Sequence, residues 1–241
     1  MSDSTIVLIT GVARGIGQAL AKSYLSRPNH TVIGTIRDAS APSLSALSSH
    51  VPAEGSRLLL FTLESTNVSH YSDLVFSLTT AGITHLDLVI ANAGVAYPAG
   101  TPASVDVEDV KNVFDVNAMG TLRLFQSLRE FLEAGANDGK RVKWVSVSSG
   151  AGSIGGCEVY GTHRVVPAIH ASEKWLTAFA IHPGFVQTEM GNKGAQIMGL
   201  KEAPNTIEEA VTKTLAAVDS ATREDTSGKF LNIIDGAEVP W

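Results

Sequence analysis

The sequence predicts an α/β fold, a doubly wound parallel sheet of seven strands with helices on both faces, in one domain spanning residues 1–241. Short β-branched and aliphatic runs alternate with stretches of helical periodicity along the chain. The first two runs are far enough apart for one crossover helix, which makes them parallel neighbours. A glycine-punctuated turn, Thr10-Gly11-Val12-Ala13-Arg14-Gly15-Ile16-Gly17, joins the first run to the first helical stretch.

In chain order, residues 6–9 (IVLI) make the first strand, ended by Thr10, and residues 18–26 read as the first helix. Residues 31–36 (TVIGTI) are the second strand, bounded by Pro28-Asn29-His30 and Arg37-Asp38, and a weak helix follows at 44–49. Residues 57–63 (RLLLFTL) are a third strand, apolar enough to expect cover on both faces. Tyr71, Leu74, Val75 and Leu78 recur at i, i+3, i+4 and i+7 and predict a helix over 68–80. Residues 86–91 (LDLVIA) form the fourth strand and run into Asn92-Ala93-Gly94. A long helix is expected over 107–134, where Val110, Val113, Phe114, Leu122, Phe125, Leu128 and Leu132 keep a helical interval. Residues 141–147 (RVKWVSV) and 176–181 (LTAFAI) are the fifth and sixth strands. An amphipathic helix over 206–219 opens with Asn205 or Thr206 ahead of Glu208 and Glu209, a capping pattern. Residues 229–234 (KFLNII) close the sheet.

Ligands of such sheets bind beyond the carboxyl ends of the strands, near the point where strand order reverses. Thr10, Arg37, Glu64, Asn92, Ser149 and Pro183-Gly184 all sit at such ends. The order strand, glycine turn, helix aims backbone N–H groups and a helix dipole at a pyrophosphate. Glycines also close ordinary tight turns, so this turn alone does not require a nucleotide.

Composition excludes other classes. A net charge of −6 offers no basic field to nucleic acid or an anionic membrane. With 44% hydrophobic and 17% charged residues, the chain suits a packed core and not a disordered one. Residues 1–4 carry no basic stretch and the apolar run after them is short, so neither signal peptide nor membrane span is expected. A single cysteine, Cys157, permits no internal disulfide and fits a reducing, cytoplasmic setting. No metal site is expected.

Joined with Asn92-Ala93-Gly94, the glycine turn resembles the short-chain dehydrogenase/reductase family, whose members carry a TGxxxGxG turn and an NAG after strand four in a Rossmann-type sheet. Asn117 in the long helix, Ser149 after strand five, Tyr160 in a YxxxK-like position, and Pro183-Gly184-Phe185-Val186-Gln187-Thr188 follow in the family's order. The likeness covers essentially the whole chain. Residues 180–192 (AIHPGFVQTEMGN) and 228–241 (GKFLNIIDGAEVPW) resemble fungal carbonyl reductases of the norsolorinic acid ketoreductase type, which implies a role in fungal secondary metabolism.

The resemblance implies hydride transfer between a nicotinamide cofactor and a carbonyl or alcohol carbon of a small molecule. A ketone accepting hydride gathers negative charge on oxygen and needs an acid. Tyr160 would donate that proton, its phenol tuned down from about 10. Ser149 would hydrogen-bond the carbonyl oxygen. Asn117 would hold the helix backbone open and carry a relay water, and Arg164 stands where the family places its lysine. Taken singly, Ser149 is also a turn serine, Asn117 a polar mid-helix residue and Tyr160 a partly buried aromatic.

The implied cofactor contacts are Gly11, Gly15, Ile16 and Gly17 at the pyrophosphate, Arg14 within the same turn in reach of a 2′-phosphate, and Arg37 and Glu64 at the adenosine end. Asn92, Ala93 and Gly94 follow strand four, Tyr160 and Arg164 reach the nicotinamide ribose, and Pro183, Gly184, Val186 and Thr188 lie at the carboxamide end. A carboxylate at the end of strand two would bond the ribose hydroxyls and repel a 2′-phosphate. Ile36 holds that place, followed by Arg37, and Arg14 lies in the turn. Two guanidiniums favour NADP(H), with Asp38 counting the other way. Residues 189–204 correspond to the family's substrate lid; Gly191, Gly194 and Gly199 among Met190, Ile197, Met198 and Leu200 suit an apolar ligand, or equally a surface loop with core anchors.

Two features depart from the family. Arg164 replaces lysine four residues after Tyr160; it shares a helix face with the tyrosine but has a different shape and hydrogen-bonding fork. The helix from Tyr160 is short and contains Pro167; residues 160–174 reach roughly 22 Å, just enough for a return crossover. An internal proline would kink that helix at a cost of about 3 kcal/mol. In the family this helix also builds a homodimer or homotetramer interface. The expected function is an NADPH-dependent reductase of a ketone or aldehyde of a small, moderately apolar molecule. The alternative is an NADP(H)-binding protein with lost or weak catalysis, a redox sensor or partner subunit.

Overall fold

A computed structural model describes residues 4–96, 103–150, 153 and 165–241. Seven strands among the described residues are β1 (Thr5–Thr10), β2 (His30–Ile36), β3 (Arg57–Thr62), β4 (Leu88–Ala91), β5 (Lys143–Val147), β6 (Thr177–His182) and β7 (Phe230–Asn232). All pair in parallel, in the order β3-β2-β1-β4-β5-β6-β7. The order reverses between β1 and β4, which opens a crevice at their carboxyl ends.

Helices cover both faces: α1 (Gly15–Leu25), α2 (Ser45–Ser48), α3 (Ser69–Thr80), α4 (Val107–Phe114), α5 (Gly120–Asn137), α6 (Val165–Ser172), α7 (Glu189–Ile197) and α8 (Ile207–Ser220). Strand alternation divides the core into two layers. Val7, Ile9 and Val32 pack with Leu20 and Leu25 of α1 and Val211 and Val218 of α8. Leu8, Ile33, Val89 and Trp144 pack on the other side with Leu74 and Leu78 of α3 and Leu128 and Leu132 of α5. Trp144 is fully buried and meets Phe125 edge-on at 5.2 Å. Thr206 caps α8, its hydroxyl accepting the Glu209 N–H at 3.0 Å as the capping pattern anticipated.

Three elements differ from expectation. β3 is an edge strand; Leu58 and Leu60 face one layer and Leu59 and Phe61 the other, but its side chains stay partly exposed because only β2 flanks it. The long helix is broken into α4, a π turn at Asp115–Met119 and α5. Its apolar period marks a helix without saying what covers it: no residue of α4 is buried, and Val107, Val110 and Phe114 face outward. Residues 189–204 begin with an ordered helix, and Gly191 serves close packing there, because a Cβ on it would overlap the Val186 carbonyl oxygen. Pro167 is the third residue of α6 as described, and residues 160–164, where the expected helix begins, lie outside the described residues.

Candidate functional site

Thr10 ends β1 with its side chain buried, and it organises the crevice. Its Oγ1 accepts the N–H groups of Asn92 and Ala93, both at 2.9 Å, and Asn92 Nδ2 returns to the Thr10 carbonyl at 2.9 Å. The N–H groups of Gly11 and Val12 donate to the Thr35 carbonyl at 3.0 and 3.1 Å. The ends of β1, β2 and β4 are thereby stitched around the glycine turn.

Gly11 and Gly15 adopt φ of +72° and +61°, conformations that side chains disfavour. A Cβ on Gly17 would overlap Asn92 Nδ2 and the Gly11 carbonyl oxygen, so the third glycine lets the helix start against the β4 end. Arg14 is the N-cap of α1, with extended backbone and no side-chain cap bond. The N–H groups that open α1, from Gly15 and Ile16 onward, therefore face the crevice without a capping acceptor, and the helix dipole adds to their pull on an anion. Gln18 braces the turn, its Nε2 donating to the carbonyls of Ala13 at 2.9 Å and Ser43 at 2.7 Å. This cradle fits the pyrophosphate of a nicotinamide dinucleotide.

At the adenosine end, the Leu63 N–H donates to the Ile36 carbonyl at 2.8 Å, bringing Arg37 and Glu64 to neighbouring strand ends. Arg37 is exposed and makes no ion pair among the described residues. Asp38 is engaged locally: its Oδ1 accepts the Ser40 hydroxyl at 2.6 Å and N–H at 2.8 Å, bonds that hold its carboxyl below the ordinary range. Glu64 donates its N–H to His70 Nδ1 at 3.0 Å. Arg14, expected to face a phosphate, instead pairs with Glu189 at the start of α7.

On the other side of the switch point, Asn117 lies within the π turn and holds Val95 by both backbone groups at 2.9 Å. Its Oδ1 comes so near Gly94 that a Cβ there would lie 3.2 Å away. Ser149 follows β5 and is exposed, beside Gly150, whose position packs against the His182 ring. His182 ends β6 with Nδ1 buried and unpartnered among the described residues, and burial pushes its imidazole below the ordinary value. Tyr160 and Arg164 lie outside the described residues, as does Cys157.

After Pro183, Gly184 bends the chain at φ +89°. Asn205 then grips the next segment: its Oδ1 accepts the Phe185 N–H at 3.0 Å, its N–H donates to Phe185 O at 2.9 Å, and its carbonyl accepts from Gln187 at 2.8 Å. Val186 is buried, and its N–H makes no hydrogen bond among the described residues. Thr188 caps α7, its hydroxyl accepting the Gly191 N–H at 3.0 Å, and it sits against the glycine turn. Glu189, Asn205, His182 and Gln18 carry no local signal in the sequence as site residues. The signal for Glu189 was a charge opposite to Arg14, readable only once the two were known to meet.

A family model described as short chain dehydrogenase matches residues 5–198. A short-chain dehydrogenase of Neurospora crassa is 42% identical over 258 aligned positions, covering all of this 241-residue chain and 99% of its own length, so this chain carries gaps against it. The norsolorinic acid ketoreductase of Dothistroma septosporum is 38% identical, with 100% and 94% coverage. Among solved structures, the NADPH-bound carbonyl reductase from chicken fatty liver superposes with a TM-score of 0.85 at 26% identity, covering 99% of this chain and 95% of that one. The seven-stranded parallel sheet, the glycine turn at its switch point and these likenesses agree: the chain is an oxidoreductase that belongs to the short-chain dehydrogenase/reductase family.

Proposed function

We propose that the protein uses NADPH to reduce a ketone or aldehyde of a small, moderately apolar molecule. The observation that carries this reading is the charge around the crevice: an uncapped α1 start, Arg37 exposed at the end of β2, and Asp38 committed to Ser40. A 2′-phosphate meets the Arg37 guanidinium there and no carboxylate at the strand's last residue, Ile36. The names of relatives, a norsolorinic acid ketoreductase and an NADPH-bound carbonyl reductase, support the same reaction class.

Bound in this crevice, the dinucleotide supplies a hydride to the carbonyl carbon. The opening N–H groups of α1 hold its pyrophosphate, with Asn92, Ala93 and Gly94 forming the facing wall. Val186 offers its unengaged N–H to the carboxamide, and the Thr188 hydroxyl, whose oxygen caps α7 while its proton meets the Val186 carbonyl at a long 3.4 Å, lies beside it. Ser149 hydrogen-bonds the substrate oxygen, and Tyr160 gives it a proton as negative charge develops. Arg164 stands in the sequence where a positive charge would favour the ionised phenol. Met190, Ile197, Met198 and Leu200, on or just after α7, supply exposed apolar surface for a lid over the substrate.

Fluorescence titration with NADPH and NADH, followed by turnover on a ketone and aldehyde panel, tests this reading. NADPH binding tighter than NADH binding, with NADPH oxidation on the panel, is the expected result; preference for NADH or an inert panel overturns it. Arg164 in the lysine position favours a second reading, a protein that binds NADP(H) and catalyses weakly. Arg164→Lys separates the two: a large gain in turnover supports the second reading, and a loss shows that the arginine suits its place.

A further inference from the structure

Arg14, which the sequence turns toward the cofactor's 2′-phosphate, already has a partner. Its Nη1 donates to Glu189 Oε2, 175 residues away, and ties the start of α1 to the start of α7. The contact is built into the backbone as well as the side chains: a Cβ on Gly15 would lie 3.4 Å from Thr188 Cγ2. Glu189 has a second cation, accepting from Lys193 Nζ at 2.9 Å one turn along α7. The Arg14 and Glu189 side chains are 66% and 53% exposed, so water screens their pair and it exchanges readily. A phosphate dianion is the stronger partner for a guanidinium, and Glu189 keeps Lys193 when Arg14 leaves.

We infer that Glu189 is a specificity-determining residue that competes with the cofactor's 2′-phosphate for Arg14. It lowers the affinity for the phosphorylated cofactor and leaves that for the unphosphorylated one in place. This rests on the reading of Arg14 as a phosphate contact. Glu189 acts through Arg14 and is a positioning residue.

The test measures Kd for NADPH and NADH by fluorescence in the full chain and in Glu189→Gln, Glu189→Asp, Arg14→Ala and the Arg14→Ala/Glu189→Gln double variant. Glu189→Gln is expected to tighten NADPH by about two- to fivefold, the scale of an exposed ion pair, with NADH unchanged. Glu189→Asp restores the natural discrimination, and the gain disappears when Arg14 is alanine. Unchanged NADPH affinity, equal tightening of both cofactors, or a gain that persists without Arg14 overturns the competition. Failure of the underlying reading looks different: Arg14→Ala then leaves NADPH affinity at the level of the natural chain, and the competition falls with it.

Discussion

Asn117 clasps Val95 at both backbone groups, its Oδ1 accepting the Val95 N–H and its Nδ2 donating to the Val95 carbonyl, each at 2.9 Å. The π turn at Asp115–Met119 presents that amide to the chain leaving β4. The residue expected to carry a relay water thus first holds the segment that follows Asn92-Ala93-Gly94.

Removing the clasp is costly. Asn117→Ala leaves two backbone groups of Val95 without partners and is expected to lower stability by about 1–3 kcal/mol. Asn117→Asp keeps the acceptor for the Val95 N–H but sets a carboxylate oxygen against the Val95 carbonyl, so it is expected to fall short of the natural chain. Thermal melts of the cofactor-free proteins check both; two melting curves that match the natural one would show the clasp to be dispensable.

Cofactor choice is expected to reside in exposed charge. Arg37→Ala is predicted to weaken NADPH binding by about tenfold or more, the worth of a charge-assisted bond, and to change NADH binding less than about twofold. Because Arg37 is exposed, the NADPH preference also shrinks as salt rises. Titrations at two ionic strengths measure both effects, and a variant that keeps its preference would place the selecting charge elsewhere.

The third glycine of the turn is sterically committed. Gly17→Ala drives a methyl group into Asn92 Nδ2 and the Gly11 carbonyl, and one of the two must shift. The expected outcome is a loss of about 1–3 kcal/mol in stability from overpacking, together with loss of dinucleotide binding as the Asn92 link to Thr10 opens. Denaturant unfolding and NADPH titration of the same variant check the two parts; retention of full affinity would contradict the arrangement of this turn.

Acid should weaken the fold in two windows. Burial lowers the His182 imidazole, opposed by the Asp235 carboxylate, so the folded chain binds fewer protons there than the unfolded chain. The stability involved is complete above about pH 6.5 and is lost as pH falls from there through the depressed folded value. His170, lowered by burial and then by Arg223 and Lys174, acts with the same sign. Glu173 is lowered chiefly by its hydrogen bonds to Arg129, at 3.0 and 2.9 Å, and its contribution is present above about pH 4.3 and lost below it. Melting temperatures from pH 8 to 4 are expected to decline in these two steps. His182→Asn should flatten part of the first step, and an unaltered profile would remove His182 from the account.

Much of the fold was legible because its signals are local. Alternating apolar residues set the strands, Thr206 and Glu209 announced a capped helix, and the glycines of residues 11–17 marked the turn between β1 and α1. The same local reading named Asn92, Ser149 and Pro183-Gly184 at strand ends, and in the structure they follow β4, β5 and β6. It found the helix at α4 but not its cover: Val110 and Phe114 face outward, because a period says that a helix has an apolar side and not what lies against it.

The sequence by itself determined the strand–turn–helix order, the glycines that the turn requires and the pair of arginines near it. Only tertiary structure decided which groups meet: Asp38 with Ser40, Asn117 with Val95, and Arg14 with Glu189. Backbone preferences act over a few residues and can be read along the chain. Contacts such as that of Arg14 with Glu189 arise because parallel strands bring all their carboxyl ends to one end of the sheet, and no spacing along the chain records it.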